Sequence, residues 1–196
     1  MLEVDPSLLE QRRRLGLDRR DEMWEGVLHM VPAPYDEHQR TVEELLVFLK
    51  PLLRQRRRGT LRIDLNVFDE ASTVENYRIP DLMFVATGRE RLFAKDGIRG
   101  GGPDVVFEIR SPNDESYDKL PFYAKVGVRE VIIIDRDRKT VELFALTAAG
   151  AYEKRAAESD GAIPSTVLAL RFRTMPGDRP VLVVADAEDP GVRTEI

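Results

Sequence analysis

Two carboxylates in apolar surroundings are candidate ligands for a magnesium ion. Asp81 follows Pro80 at the start of a short apolar segment, and Glu108 lies inside the apolar run 105–109. A charge among apolar residues is costly unless the group is protonated, paired or bound to a cation. Mg²⁺ is usually bound by one or two carboxylates, together with water and substrate phosphate. If neighbouring strands carry Asp81 and Glu108, the two acids predict a magnesium site, which Mn²⁺ could also occupy.

Asp104 is a rival partner for Glu108, because it also follows a proline and precedes Glu108 by four residues. Four residues of a strand span about 13 Å, which is too far for two side chains to share one ion. We therefore interpret Asp104 as a turn or strand-start residue after the glycine-rich segment 100–103. Asp81, on a neighbouring strand, is the better partner.

The spacing of apolar residues predicts one α/β domain that could position these acids. Helices are expected at 6–17, 36–57 and 115–126, and Pro121 is tolerable only in the first turn of the third helix. A strand or hairpin arm is expected at 23–30, and strands at 60–68, 81–86, 105–109 and 128–134, followed by a hairpin of 139–146 and 151–157 and an edge strand at 167–172. We expect a single domain over residues 1–185 and a frayed, acidic tail at 186–196.

The composition excludes several classes of protein. Of the 196 residues, 42% are hydrophobic and 33% are charged, as in a soluble globular protein. The apolar runs are too short to span a membrane and the N-terminus does not resemble a signal peptide, so a cytoplasmic protein is the default expectation. The absence of cysteine excludes disulfides and thiolate zinc sites.

The net charge of −5 argues against a protein that coats nucleic acid through a global positive field. Two local basic clusters remain. The first is Arg12, Arg13, Arg14, Arg19 and Arg20, and the second is Lys50, Arg54, Arg56, Arg57 and Arg58. They are interpreted as solvated helix ends, or alternatively as a contact surface for backbone phosphates, which would make binding depend steeply on salt.

Four motifs occur in a characteristic order along the chain. They are EMWEG at 22–26, YRIPDL at 77–82, GPDVVFEIRSP at 102–112, and the segment 118–130, which begins DKL and ends GVRE. Their order and spacing resemble the Uma-type family, bacterial proteins classed as restriction endonucleases with a PD-(D/E)xK-like core. The resemblance covers roughly residues 21–146.

The resemblance implies a restriction-endonuclease-like α/β fold, in which helices flank a central mixed β-sheet. It implies that Asp81 and Glu108 bind the divalent metal. In this superfamily a lysine usually follows the second acid by two residues, but here that position holds Arg110, which stays protonated and is a poor general base. We therefore expect Lys119 to supply the lysine, with Arg110 as the fallback and Lys125 further along the same segment.

The resemblance also implies two further polar groups at the site. Glu22 would be an additional acid from the N-terminal segment, and His38 a polar group close to the metal. By residue type alone, Glu22 is more often a surface strand residue, and His38 at a helix start could simply hydrogen-bond a nearby group. Lys119 could equally be a solvated helix lysine, and Tyr123 is interpreted as core.

Two functions follow from these residues. The first is a metal-dependent endonuclease that hydrolyses phosphodiester bonds in nucleic acid, with DNA as the expected substrate and with Lys119 orienting or deprotonating the attacking water. The second is a nuclease fold without turnover that binds nucleic acid, which Arg110 in the lysine position and the negative net charge would favour. A purely structural protein would leave Glu108 in its apolar strand unexplained. The resemblance makes a homodimer the expected assembly.

Overall fold

The computed structural model describes residues 6–112 and 114–196, in which many short strands are combined with a few helices. The α-helices are α1 (Pro6–Leu15), α2 (Asp36–Gln55) and α3 (Leu120–Lys125). The strands are β1 (Glu22–Trp24), β2 (Val27–His29), β3 (Gly59–Ile63), β4 (Val67–Phe68), β5 (Tyr77–Arg78), β6 (Leu82–Ala86), β7 (Phe93–Ala94), β8 (Gly97–Ile98), β9 (Val105–Arg110), β10 (Glu130–Asp135), β11 (Val141–Leu146), β12 (Tyr152–Lys154), β13 (Ile163–Ser165), β14 (Leu170–Met175), β15 (Val181–Asp186) and β16 (Arg193–Glu195). None of the described helices is long and apolar enough to cross a membrane.

A central mixed sheet lies in the middle of the fold. Its strand order is β12-β11-β10-β9-β6-β3, in which β9 and β10 are parallel and the other neighbours are antiparallel. β9 and β10 are buried along almost their whole length, because both faces of the sheet are covered. This arrangement confirms the expected mixed sheet flanked by helices.

Helices α2 and α3 contribute to separate hydrophobic clusters on the two faces of the sheet. Leu49 and its helical neighbours pack with Phe107 in one cluster, whereas Tyr123 packs with Val106 in the other. Successive side chains of a strand point to opposite faces. β9 therefore directs Phe107 toward α2, and directs Val106 and Glu108 toward α3.

A second, smaller sheet brings the N-terminal segment next to the central one. Its order is β2-β1-β5-β4-β8-β7, and β1 pairs with β2 as a hairpin and with β5 through Met23 and Tyr77. Strand β5 lies only a few residues before Asp81 in the chain. The small sheet thus places Glu22, the first residue of β1, near the start of β6.

The C-terminal part of the chain forms a third, antiparallel sheet, β13-β14-β15-β16. Its side chains Leu170, Phe172, Leu182 and Val184 join the core on the α2 face. Phe172 meets Phe107 edge-to-face, with ring centroids 6.1 Å apart. This sheet therefore covers part of the central sheet and is continuous with the main core.

The structure corrects the prediction of one strand at 60–68. Two strands of different sheets, β3 and β4, occupy this segment, and they are separated by Asp64, whose φ is +50°. A positive φ breaks the extended backbone. The alternation of apolar residues continues across the break, so the pattern alone did not reveal it.

The helix expected at 115–126 is shorter than predicted, because it begins only at Leu120. Pro121 lies in its first turn, as the sequence required. A proline lacks the amide hydrogen, and its ring would clash with the carbonyl of Tyr117 if the helix extended further upstream. The preceding residues from Ser116 to Lys119 form turns instead.

The segment 167–172 was expected to be an edge strand, and this is also corrected. Strand β14 lies between β13 and β15 in the C-terminal sheet. The residues at 186–196, expected to fray, include β16, and the side chain of Ile196 is only 6% exposed. Backbone hydrogen bonds in both directions between Ile196 and Leu182 hold the end of the chain in the sheet.

Candidate active site

Asp81 and Glu108 lie side by side at one end of the central sheet. Strands β6 and β9 pair Leu82 with Phe107, and continuing this antiparallel register by one residue places Asp81 opposite Glu108. Residues directly opposite each other point to the same face, with Cβ atoms about 5 Å apart. Oδ2 of Asp81 accepts a hydrogen bond of 2.7 Å from the backbone amide of Ile109, which fixes the carboxylate at the strand end.

The other carboxylate oxygen of Asp81 contacts His38. The Nε2 atom of His38 lies 3.0 Å from Oδ1 of Asp81. His38 belongs to the first turn of α2, so the helix that packs on one face of the sheet also orients an acid at its end. The structure therefore brings His38 to the site as the resemblance implied.

Lys119 joins acids from two sheets. Its Nζ donates hydrogen bonds to Oε1 of Glu22 at 2.9 Å and to Oε2 of Glu108 at 3.2 Å. Lys119 is the N-cap residue of α3, and the turns before Pro121 direct its side chain into the space between β1 and β9. The side chain of Lys119 is 13% exposed, and those of Glu22 and Glu108 are 2% and 4% exposed.

Glu22 is held in place by several donors besides Lys119. Its Oε1 also accepts a hydrogen bond of 2.8 Å from the amide of Ile79, and its Oε2 accepts one of 2.7 Å from Nε1 of Trp24. The Trp24 ring stacks on His29, with centroids 4.1 Å apart. These contacts fix the orientation of a carboxylate that the sequence alone suggests to be on the surface.

Arg78 connects the strand that carries Glu22 to the helix that follows Lys119. Its guanidinium carbon lies 4.1 Å from the ring centroid of Trp24 and 4.4 Å from that of Phe122. Arg78 is buried, and it donates to the backbone carbonyl of Met23. Cation–π contacts of this kind are stronger where water is excluded. Arg78 therefore ties β1 to α3.

Tyr123 contacts Glu108 as well, although its position on the apolar side of α3 suggested a core residue. The ring is fully buried in the core, and the hydroxyl donates a short hydrogen bond to Oε1 of Glu108. A buried tyrosine hydroxyl usually needs a hydrogen-bond partner. This requirement was the signal in the sequence that could have predicted a contact between Tyr123 and a buried acid.

Burial and neighbouring charges shift the ionisation of these groups. Burial raises the pKa of Glu108 to about 8; the nearby Asp81 and Glu22 charges act in the same direction, against the opposing effect of Lys119. For Lys119, burial by itself would lower the pKa, but the negative charges of Glu108, Glu22 and Asp81 together raise it above its usual value. Lys119 is therefore protonated at neutral pH, and Glu108 would ionise more easily if a further cation were added.

The same five side chains line one cavity of about 690 Å³. They are Glu22, His38, Asp81, Glu108 and Lys119. The rest of the wall is formed by residues 28–35 on one side and by residues 111, 112 and 114–116 on the other, with Arg20, Asp64, Ile79 and Ile109. The cavity is thus an acid-lined cleft with one buried cation, Lys119, at its base.

Arg110 and Lys125, the alternatives for the lysine position, have other contacts. Nη1 of Arg110 lies 3.1 Å from Oδ2 of Asp135, and its guanidinium lies over the ring of Tyr117. Nζ of Lys125 lies 2.7 Å from Oδ2 of Asp69. The structure therefore brings Lys119, and neither alternative, to the paired acids.

Asp104 has a structural role at the opposite end of β9. Its Oδ2 accepts a hydrogen bond of 2.7 Å from the amide of Ala86, and Oδ1 pairs with Arg89 at 2.8 Å. These contacts agree with its interpretation as a strand-start residue.

The donor atoms at the site suit a hard divalent cation. Asp81 and Glu108 provide carboxylate oxygens, which Mg²⁺ prefers. Among residues 6–112 and 114–196, no three histidine or acidic side chains come together as a metal-binding group.

A family model described as “Putative restriction endonuclease”, named Uma2, matches residues 8–176. The chain belongs to the Uma2 family. The Uma2 match includes all five cleft residues, whereas β15 and β16 lie beyond it. The structural similarity extends to a crystal structure described as that of a putative nuclease from Anabaena variabilis, with a TM-score of 0.60 and 20% sequence identity over 76% of this chain and 83% of the other. At this identity the similarity shows the fold. A comparison with curated proteins found no match.

Proposed function

We propose that this Uma2-family chain is a magnesium-dependent endonuclease that hydrolyses phosphodiester bonds in DNA. The observation that carries the proposal is the position of Asp81 directly opposite Glu108, with the protonated Lys119 beside them. Membership of a family described as restriction endonucleases supports the class of reaction.

Asp81 and Glu108 would hold the metal ion. When bound, magnesium supplies positive charge that polarises the scissile phosphate and lowers the pKa of water. The pKa of Glu108 is raised, because the positive charge of Lys119 does not compensate for the burial of its carboxyl group. A bound cation would favour the ionised form. The amide of Ile109 and the ring of His38 keep the Asp81 carboxylate fixed, so that it need not reorganise when a ligand arrives.

Lys119 acts as a fixed positive charge. Of its two expected roles, orienting the attacking water is favoured by the ion pairs with Glu22 and Glu108, which hold the ammonium group in one place. Hydrolysis adds the water oxygen to phosphorus, breaks the bond to the leaving oxygen and builds negative charge on the phosphoryl group. The ammonium group of Lys119 can stabilise that charge in a site from which water is largely excluded.

Glu22 and Tyr123 are positioning residues in this proposal. Glu22 accepts from Lys119, Trp24 and the amide of Ile79, so its charge holds the ammonium group in one place. The Tyr123 hydroxyl holds one oxygen of Glu108, which leaves the second oxygen between Lys119 and the cleft.

Cleavage of duplex and heat-denatured plasmid in Mg²⁺ or Mn²⁺ tests the proposal. The wild type should cut, and Asp81→Asn should cut more slowly by roughly 100-fold or more, because a metal ligand is lost. Asp118→Asn is the matched control, since Asp118 is an exposed carboxylate beside Lys119. Calorimetry should show Mn²⁺ binding to the wild type and to the control but not to Asp81→Asn. Absence of cleavage by the wild type, or equal cleavage by Asp81→Asn, would contradict the proposal.

A nucleic-acid-binding protein without turnover is the second candidate. It is favoured by Arg110, which occupies the usual lysine position and is held by Asp135 away from the acids. Salt-dependent DNA binding without metal-stimulated cleavage would support this alternative. The homodimer expected from the resemblance is part of the proposal, and sedimentation of the purified chain would test it.

A further inference from the structure

The acids of the cleft lie deep below its rim. The Asp81 and Glu108 side chains are only 15% and 4% exposed. The two walls of the cleft are joined by a contact of 3.0 Å between Nδ1 of His29 and Oε2 of Glu115. A cavity of about 690 Å³ falls in the size range of small-ligand sites. Because the acids are buried and the two walls are in contact, the cleft suits a single extended strand better than a duplex.

Two arginines at the cleft, Arg20 and Arg110, are already paired with acids. Arg20 lies 2.8 Å from Asp64, and Arg110 lies 3.1 Å from Asp135. Proteins that bind duplex DNA tightly neutralise several phosphates with lysine and arginine. Since these arginines are engaged and the net charge of the chain is −5, phosphate contacts alone are a weak source of affinity here.

One aromatic ring at the mouth of the cleft is available for stacking. Tyr35 lines the cavity and is 72% exposed, which is unusual for so large an apolar group. The guanidinium carbon of Arg136 lies 5.1 Å from its ring centroid and supports the ring on one side. Tyr35 directly precedes α2 and lies one helical turn before His38, which contacts Asp81. A base on Tyr35 would therefore lie next to a phosphate at the acids.

We propose that the cleft takes an unpaired DNA strand, and that Tyr35 binds a base next to the scissile phosphate by stacking. The inference rests on the proposed nuclease function, because the strand is the substrate of that site. Stacking on an aromatic side chain tolerates any base and contributes substantially to the binding of single strands. Stacking also contributes affinity that does not depend on lysine or arginine. This agrees with the ion pairs in which Arg20 and Arg110 are engaged.

Fluorescence anisotropy with a labelled DNA oligonucleotide, alone or annealed to its complement, tests the inference, with Ca²⁺ in place of Mg²⁺. The wild type should bind the single strand more tightly than the duplex. Tyr35→Ala should weaken single-strand binding about tenfold, and Tyr35→Phe, which keeps the ring, should bind like the wild type. Val47→Ala is the control, because Val47 is 70% exposed elsewhere on α2.

Equal or tighter binding of the duplex, or unchanged binding by Tyr35→Ala, would overturn the inference. Cleavage of the same two DNAs in Mn²⁺ shows whether the stacking inference fails or the nuclease proposal fails. If both DNAs are cut and Tyr35→Ala changes neither binding nor rate, the inference fails and the nuclease proposal stands. If neither DNA is cut but strand binding still depends on Tyr35, the nuclease proposal fails and the stacking site is supported.

Discussion

Lys119 contacts carboxylates that come from two different sheets, Glu22 from the small one and Glu108 from the central one. Removing its charge leaves two buried acids facing each other without a cation. Lys119→Met should therefore lower DNA cleavage by about 100-fold or more, because the charge proposed to stabilise the transition state is lost. Lys95→Met is the control, since Lys95 is exposed in the turn between β7 and β8. Circular dichroism would show whether the variant is folded, and a folded variant with wild-type cleavage would exclude the proposed role.

Asp81 and Glu108 could be selected from the sequence, because apolar residues flank them, whereas Lys119 was chosen because the resembled superfamily needs a lysine. Glu22 and His38 came from the family resemblance alone. Their contacts to Ile79 and Asp81 span 57 and 43 residues, which no local pattern can show. Tyr123 was missed because a tyrosine on the apolar face of a helix has the same pattern whether or not its hydroxyl binds an acid.

At the scale of elements, α2 packs against one face of the central sheet. Leu49 is fully buried in its centre, whereas Val47 is 70% exposed on the opposite side. Leu49→Ala should lower the free energy of unfolding by about 2–5 kcal/mol, because it leaves a cavity in a packed core. Val47→Ala should change it by less than about 0.5 kcal/mol. Urea denaturation measures both, and similar losses would contradict this account of the helix.

The first turn of α2 is also joined to the turn before β11. Nζ of Lys139, which is 4% exposed, lies 2.7 Å from Oε1 of Glu37. Hydrogen bonds from Arg40 and Lys139 lower the pKa of Glu37 to about 2, from an ordinary value of 4.5. A carboxylate with a lowered folded pKa stabilises the fold above its unfolded pKa and loses that contribution as the pH falls toward the folded pKa.

The stability difference between wild type and Glu37→Gln should therefore be constant above pH 4.5 and shrink as the pH falls toward about 2. Urea denaturation across this range measures it. Glu43→Gln, an exposed glutamate on the same helix, is the matched control. A difference that stays constant down to the lowest pH would show that the Glu37 contacts do not stabilise the fold.

The boundaries of α2, β9 and β10 were largely predictable, because long apolar stripes and β-branched runs specify them. The three-sheet arrangement was not. Strands of two residues such as β4 and β5 are too short to show a period, and the turn at Asp64 depends on a backbone angle that many sequences could adopt. The pattern of a strand also does not show which sheet it joins, so β14 was expected at a sheet edge although it lies between β13 and β15.

At the scale of the whole molecule, the C-terminal sheet completes the core on the α2 face. Deleting residues 193–196 removes β16 and the buried side chain of Ile196. The melting temperature should fall by about 5 °C or more, because burial of one large aliphatic side chain is lost together with strand pairing. Glu195→Gln, which keeps the exposed position and the strand, is the control. An unchanged melting temperature after the deletion would support the frayed tail that the sequence suggested.

The indole of Trp24 donates to Glu22 and lies between His29 and the guanidinium of Arg78. Trp24 is also the single tryptophan of the chain. The intrinsic tryptophan fluorescence of this protein therefore reports on a residue that contacts the cleft residues Glu22 and His29, free of background from other indoles. Any ligand that changes the charge or solvation of Glu22 should shift the emission, so that metal and DNA titrations can be followed in the unlabelled protein.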